Sequence, residues 1–163
     1  PLASTSATPQ DGQTYVLKYG MVVKADAAGE KAAVDPDAEK VCSLSLRNMS
    51  KKEEARRRRL GNVGLALTLA GAAFFLAMRD RVPKHYRMVM GGPVGLWLAF
   101  WGSAETGICM ISATGEWDPD GAGIRKVPDP ALAARIWGKA RKLLAFQIFA
   151  PLLVTAAFVK SPI

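Results

Sequence analysis

Hydrophobic residues in this chain are gathered into blocks, and the blocks predict its elements. Leu60 to Met78 (LGNVGLALTLAGAAFFLAM) is nineteen residues without a charge. At ~1.5 Å per helical residue it covers roughly the ~30 Å apolar core of a bilayer. The run KKEEARRRR leads directly into it, so the pattern predicts a membrane-spanning helix with a basic anchor. Ser50 stands where an N-cap belongs, and Glu53 three residues later completes a capping-box pattern. Inside the block, Gly61, Gly64, Gly71, Ala66 and Ala70 are small enough to let a second helix approach closely.

The second block runs from Met88 to Ile111 and is bent near its start by Gly91, Gly92 and Pro93. Proline suits the first turn of a helix, where its missing N–H is not needed, so a clean helix is predicted from Pro93 to about Ile111. The third block begins with Asp129 as N-cap and Pro130 at the first helical position. Leu132, Ile136 and Leu143 fall on one face, with Arg135, Lys139, Arg141 and Lys142 mostly away from it. Residues 131–142 should therefore ride a membrane surface before Leu143 to Val159 enters it, kinked at Pro151.

The polar stretches read differently. Residues 1–13 have nothing to bury and predict a flexible arm. Thr14 to Lys24 is β-branched and aromatic, hence extended, with Gly20 as a bend; it needs a pairing partner, either Val41 to Leu46 or another protein. Ala25 to Lys40 reads as a solvated loop with one helical turn. SATGEWDPDGAG after Ile111 reads as a turn-rich loop, in which Asp118 and Asp120 match only the first two positions of a calcium loop. The resulting expectation is an all-α membrane protein of about three transmembrane helices with an extended N-terminal peripheral arm. Its parts are the arm (1–49), a basic-anchored hairpin (50–111), a polar loop (112–129), and an amphipathic helix leading into the third span (130–163).

Charge sharpens this picture. The net charge is +8, and much of the excess stands beside the apolar blocks, where it suits anionic headgroups at ~1 kcal/mol per basic residue. Four successive arginines, Arg56, Arg57, Arg58 and Arg59, step ~100° each and predict a collar around the helix at headgroup level. Arg141 and Lys142 join them as expected lipid contacts. Nucleic acid is not an expected partner, because no recognition motif or interleaved aromatic pattern accompanies the charge. Seven basic and two acidic residues from Arg47 to Arg59 place the N-terminal side on the positive face, against the vote of the basic connector RDRVPKHYR. On that topology Cys42 and Cys109 lie toward the same face.

Catalytic motifs are missing: there is no phosphate-binding glycine loop, GxSxG elbow, HExxH or paired-carboxylate arrangement. One histidine and two separated cysteines do not make a zinc set. No enzyme activity, catalytic residue or metal site is therefore expected. Glu105 is the one carboxylate inside a predicted span. It is explained by headgroup depth, by an ion pair with a partner subunit, or by ligation of a metal or a pigment magnesium, for which His85, Asn62 and Gln147 are the other available side chains. Chlorophyll and carotenoid are the cofactors that reading would bring.

The function expected is a non-catalytic accessory subunit of a large organellar energy-transducing complex, in contact with other membrane subunits and anionic lipids. PLASTSATPQ, with hydroxyl and small residues and no acid, is what a cut transit peptide leaves behind, as trimming also would, and tilts the expectation to a photosystem or antenna assembly in the thylakoid. A respiratory or ATP synthase subunit of the mitochondrial inner membrane is the alternative. A membrane assembly factor or small membrane enzyme is the alternative of another class.

Overall fold

The computed structural model describes residues 15–19, 21–24 and 35–161; the predicted arm over 1–13, the bend at Gly20 and most of the loop before Asp35 lie outside them. Helix, the 3₁₀ segment included, covers 67% of the described residues, so the all-α class holds. Two short strands, β1 (Tyr15–Lys18) and β2 (Met21–Lys24), are followed by α1 (Pro36–Ser45) and the long α2 (Lys51–Ala77). A 3₁₀ segment (Lys84–Met90) then runs into α3 (Gly91–Thr106), two-residue strands β3 (Glu116–Trp117) and β4 (Arg125–Lys126) follow, and α4 (Pro130–Lys160) closes the fold.

Three α-helices start at a side-chain cap, whereas α3 begins at Gly91, two residues before the expected Pro93, as a continuation of the 3₁₀ segment and without a side-chain cap. The Ser50 hydroxyl accepts from the Glu53 N–H at 3.4 Å, and the Asp129 carboxylate accepts from Ala131 at 2.8 Å, satisfying donors that a helix start leaves open. Asp35 and Pro36 repeat the Asp129–Pro130 signal, and Asp35 accepts from Asp37 and Ala38 at 2.9 and 3.3 Å. From Pro36 the expected loop is instead a helix that runs to Ser45, and Val41 to Leu46 is no strand partner. Instead β1 pairs with β2 in an antiparallel hairpin, Tyr15 opposite Lys24 and Lys18 opposite Met21. The hairpin is fastened to the chain's own loop: Ile124 donates to the Tyr15 carbonyl at 2.7 Å and Leu17 to Asp118 Oδ2 at 3.3 Å.

The antiparallel α2/α3 contact is built on glycine. A Cβ on Gly64 would lie 2.5 Å from the Trp97 backbone nitrogen, and one on Gly61 would lie 2.9 Å from that of Trp101, so only residues without a side chain permit this approach. The small-residue face read in the sequence finds its partner within the chain. Helix α3 stops at Thr106, short of the expected Ile111, because Gly107 turns to φ +66° and donates to the Ser103 carbonyl. A side chain at Gly107 would also meet Arg47 Cγ at 2.6 Å and Glu54 Oε1 at 2.8 Å. At 16 residues α3 is shorter than a usual span. Helices α2 and α4 are long and apolar enough to cross a membrane.

Helix α4 is continuous through Pro151, which joins the expected surface helix and third span into one element. It leans on α3 through Gln147, whose Nε2 donates to the Ala99 carbonyl at 2.9 Å. At the far end the Arg87 guanidinium lies 5.7 Å over the Phe158 ring and donates to the Ser161 carbonyl at 3.2 Å, a cation at the negative end of the α4 dipole. At the near end, Lys139 Nζ donates to the carbonyls of Ser45, Leu46 and Thr106 at 3.1, 3.2 and 2.9 Å. One ammonium thus satisfies carbonyls at the ends of both α1 and α3. Beside it Trp117, Ile108, Ile136, Ala140 and Cys42 form a compact core drawn from α1, the loop after α3 and α4, the centre of a cap at this end of the molecule.

Candidate functional site

The cap is threaded by polar groups. Asn48 is fully buried; its Oδ1 accepts from the Cys109 N–H at 2.6 Å, and its Nδ2 donates to the Cys109 carbonyl at 2.9 Å and Ser112 Oγ at 3.1 Å. Its own N–H donates to Gly107 and its carbonyl accepts from Asp118. A single side chain and its backbone thereby tie the entry to α2 to the loop that follows α3. That loop carries few ladder hydrogen bonds of its own, so its polar groups depend on this pairing.

One turn into α2 lies a buried ionic node. Arg57 donates from Nε to Glu53 Oε1 at 2.9 Å, from Nη1 to Ser103 Oγ at 2.5 Å, and from Nη2 to Cys109 Sγ at 3.1 Å. Ser103 passes its own proton to the Ile108 carbonyl at 2.6 Å. Glu53 also faces Arg56 at 3.7 Å, while Glu54 pairs with Arg47 and, at 3.1 Å, with Lys51. Beside the node a cleft of about 240 Å³ opens, with Arg57, Ser103 and Cys109 on its polar side and Phe100, Met110 and Ile111 among its apolar walls.

The two thiols are free and both sit in the cap, but they differ in surroundings. Burial, reinforced by the Glu54 carboxylate, pushes the Cys42 thiol up to about 11, which keeps it protonated and unreactive at neutral pH. Cys109 instead has a guanidinium on its sulfur.

The residues singled out in the sequence do not form one site. Arg56, Arg57, Arg58 and Arg59 do not act alike: Arg57 is turned inward and buried, Arg58 pairs with Glu105 at 2.9 Å, and Arg59 is exposed. The collar is corrected at Arg57 because the buried Glu53 carboxylate and the Ser103 hydroxyl of the closely packed α3 hold that side chain inside the protein. Arg141 and Lys142 are exposed on α4. Glu105 is thus engaged by an ion pair at the cap end, and Gln147 by the α3 backbone. Asn62 is exposed, and His85 lies against Tyr86 at 4.5 Å near the opposite end of the α2/α3 pair. Among the described residues no group of three or more His, Cys, Asp or Glu side chains is placed to hold a metal. Asp118 and Asp120 accept from the Leu17, Gly123, Ala122 and Asp35 N–H groups and from Arg125.

Sequence reasoning missed Asn48, Ser103 and the inward turn of Arg57. Only Ser103 left a usable trace, as a hydroxyl on the same stretch as Glu105. No protein-family model matches the chain, and no curated protein or solved structure matches it either.

Proposed function

We propose that the protein is a non-catalytic integral-membrane subunit that packs on neighbouring subunits of a larger organellar energy-transducing assembly. The observation that carries this reading is the inverted surface of the long helices. Their most apolar stretches are only 17% (α2) and 11% (α4) buried within the fold, leaving Leu67, Leu69, Phe74, Phe149, Leu152 and Leu153 facing outward. Water would oppose so large a contiguous apolar area, whereas lipid or apolar neighbours accept it.

Connectivity supports a three-pass reading in which α2 crosses first. Arg57 meets Ser103 and Arg58 meets Glu105, so the start of α2 and the end of α3 share the cap, and the chain must recross between them. The 3₁₀ segment joined to α3 supplies the length that α3 alone lacks. Helix α4 leaves the cap at Lys139 and ends at Arg87 on the other side, which makes the third pass. Arg58, Arg59, Arg141 and Lys142 then stand at the cap-side headgroups.

The test is alkaline carbonate extraction of the native membranes followed by a mild-detergent native gel. Retention in the pellet and comigration with a complex of hundreds of kilodaltons are expected, and the identity of that complex separates a photosynthetic from a respiratory assembly. Release by carbonate would sink the membrane reading. Migration as a monomer would sink the subunit reading in favour of an assembly factor or small enzyme.

A further inference from the structure

The cleft beside Arg57 has a chemistry that a purely structural subunit does not require. An arginine carries five N–H donors in a rigid fork. Three are engaged, by Glu53, Ser103 and Cys109, which leaves one on each Nη. That number matches what a carboxylate or phosphate takes in two-point pairing. Basic groups also outnumber acidic ones in the described node: Glu53 faces Arg57 at 2.9 Å and Arg56 at 3.7 Å, and Glu54 faces Arg47 and Lys51. Apolar side chains of Phe100, Met110 and Ile111 line the same cleft, together with Tyr19 of the hairpin and Gln147.

Size narrows the class. The cleft, at about 240 Å³, is below the ~300–1,000 Å³ of pockets that enclose drug-sized ligands. At the ~30 Å³ that a water occupies it holds about eight such groups, which is an oxyanion head and the first methylenes of one chain. We propose that this cleft binds the anionic head end of a single acyl chain, a carboxylate or phosphate held by Arg57 with its first methylenes against Phe100 and Ile111. The site goes beyond the membrane-subunit reading, since its geometry does not depend on which assembly the protein joins.

Native mass spectrometry of the 163-residue chain, released from a non-ionic detergent, tests it with four probes. Myristate and 1-myristoyl-glycerol-3-phosphate carry both head and chain, inorganic phosphate carries the head alone, and myristyl alcohol carries the chain alone. The expected result is a one-to-one adduct with one or both of the two amphiphiles, at least tenfold more populated at equal concentration than with either partial probe; which amphiphile is retained tells a fatty-acid source from a phospholipid one. Ile111→Trp narrows the cleft from its exposed rim without touching the Arg57 pairs and should lower the adduct at least tenfold with unchanged thermal unfolding. Alcohol retained as well as acid, phosphate retained as well as the amphiphiles, or an Ile111→Trp protein that binds like the parent would each overturn the proposal. Because the assay is run in detergent, such a failure leaves the carbonate-extraction result standing.

Discussion

In the cap, Glu53 and Arg57 are 1% and 4% exposed, whereas along the shaft Leu69, Phe149 and Leu153 are 62%, 61% and 70% exposed. The two regions are held by different forces. The shaft keeps its few tight contacts by removing side chains, at Gly61 and Gly64, and leaves its large apolar groups for whatever surrounds it. The cap keeps its geometry by pairing charges and amides that water no longer reaches, and such groups tolerate a partner's loss badly. Anything that must be positioned accurately, such as the cleft beside Arg57, is therefore found at the cap end.

The largest effect expected from breaking this division is at the buried node. Arg57→Met takes from the buried Glu53 carboxylate its guanidinium partner at 2.9 Å and should lower unfolding stability by roughly 3–5 kcal/mol, while Glu53→Gln combined with Arg57→Met should recover much of it. Arg59→Met on the exposed side of the same helix should stay within ~0.5 kcal/mol. Thermal unfolding in one detergent compares all three. Equal losses at Arg57 and Arg59 would mean that the cap is no more ordered by charge than the surface is.

The shaft is probed by adding carbon instead of removing charge. Gly64→Val drives a side chain into the Trp97 backbone, 2.5 Å from where its Cβ must sit, and should cost about 1–3 kcal/mol or more. Gly95, with nothing within 4 Å of its added Cβ, should accept alanine with a gain of up to ~1 kcal/mol from helix propensity. If both substitutions act alike, the close α2/α3 approach is not what holds the shaft.

Legibility in the sequence follows the same division. The shaft was readable because lipid-length apolar blocks, Asp–Pro starts and glycine faces are local signals, and Ser50, Gly64 and Asp129 do what their positions predict. The end of α3 was misjudged by several residues, since apolar character continues through Ile108 to Ile111 while Gly107 alone decides the break. The cap was hardly readable. Asn48 to Cys109 and Arg57 to Ser103 join residues 61 and 46 positions apart, and no local periodicity encodes such pairs. Helix α1 is a different case: Asp35–Pro36 carries the same cap signal as Asp129–Pro130, but it was outweighed by a loop-like composition of Ala, Asp and Glu.

A gentler perturbation separates two carboxylates of the cap loop. Burial raises Asp118 above the ordinary 3.8, with the Leu17 and Gly123 N–H groups only partly offsetting it. Its contribution to stability is therefore full below about pH 3.8 and is lost as pH rises through the elevated folded value. Burial also opposes ionisation of Asp120, but hydrogen bonds from Arg125 outweigh it and hold that carboxyl below 3.8, so its contribution is present above 3.8 and is lost as pH falls through the lowered value. Unfolding midpoints measured from pH 3 to 7 should show Asp118→Asn flattening the decline with rising pH. Asp120→Asn should destabilise at pH 7, by an amount that shrinks as pH falls below 3.8. Parallel profiles for the two variants would contradict their opposite shifts.

The smallest effect is expected at Glu105, on the boundary between the two regions. Its side chain is 40% exposed and that of its partner Arg58 is 51% exposed, at 2.9 Å. A pair this open to solvent is screened and contributes roughly 0.2–1 kcal/mol. Glu105→Gln should therefore lower the unfolding midpoint only slightly, by an amount that shrinks further when salt is raised from 50 mM to 500 mM. Removing Arg58 should give the same small loss, and the double variant should lose no more than either single one if the pair is the whole of the interaction. A pigment or metal ligand would behave otherwise: purified native complex bearing Glu105→Gln would lose a chromophore band or a bound ion while its stability at high salt fell as far as at low salt. Glu105 thus decides whether the border of the cap is only a screened ion pair or the edge of a second site.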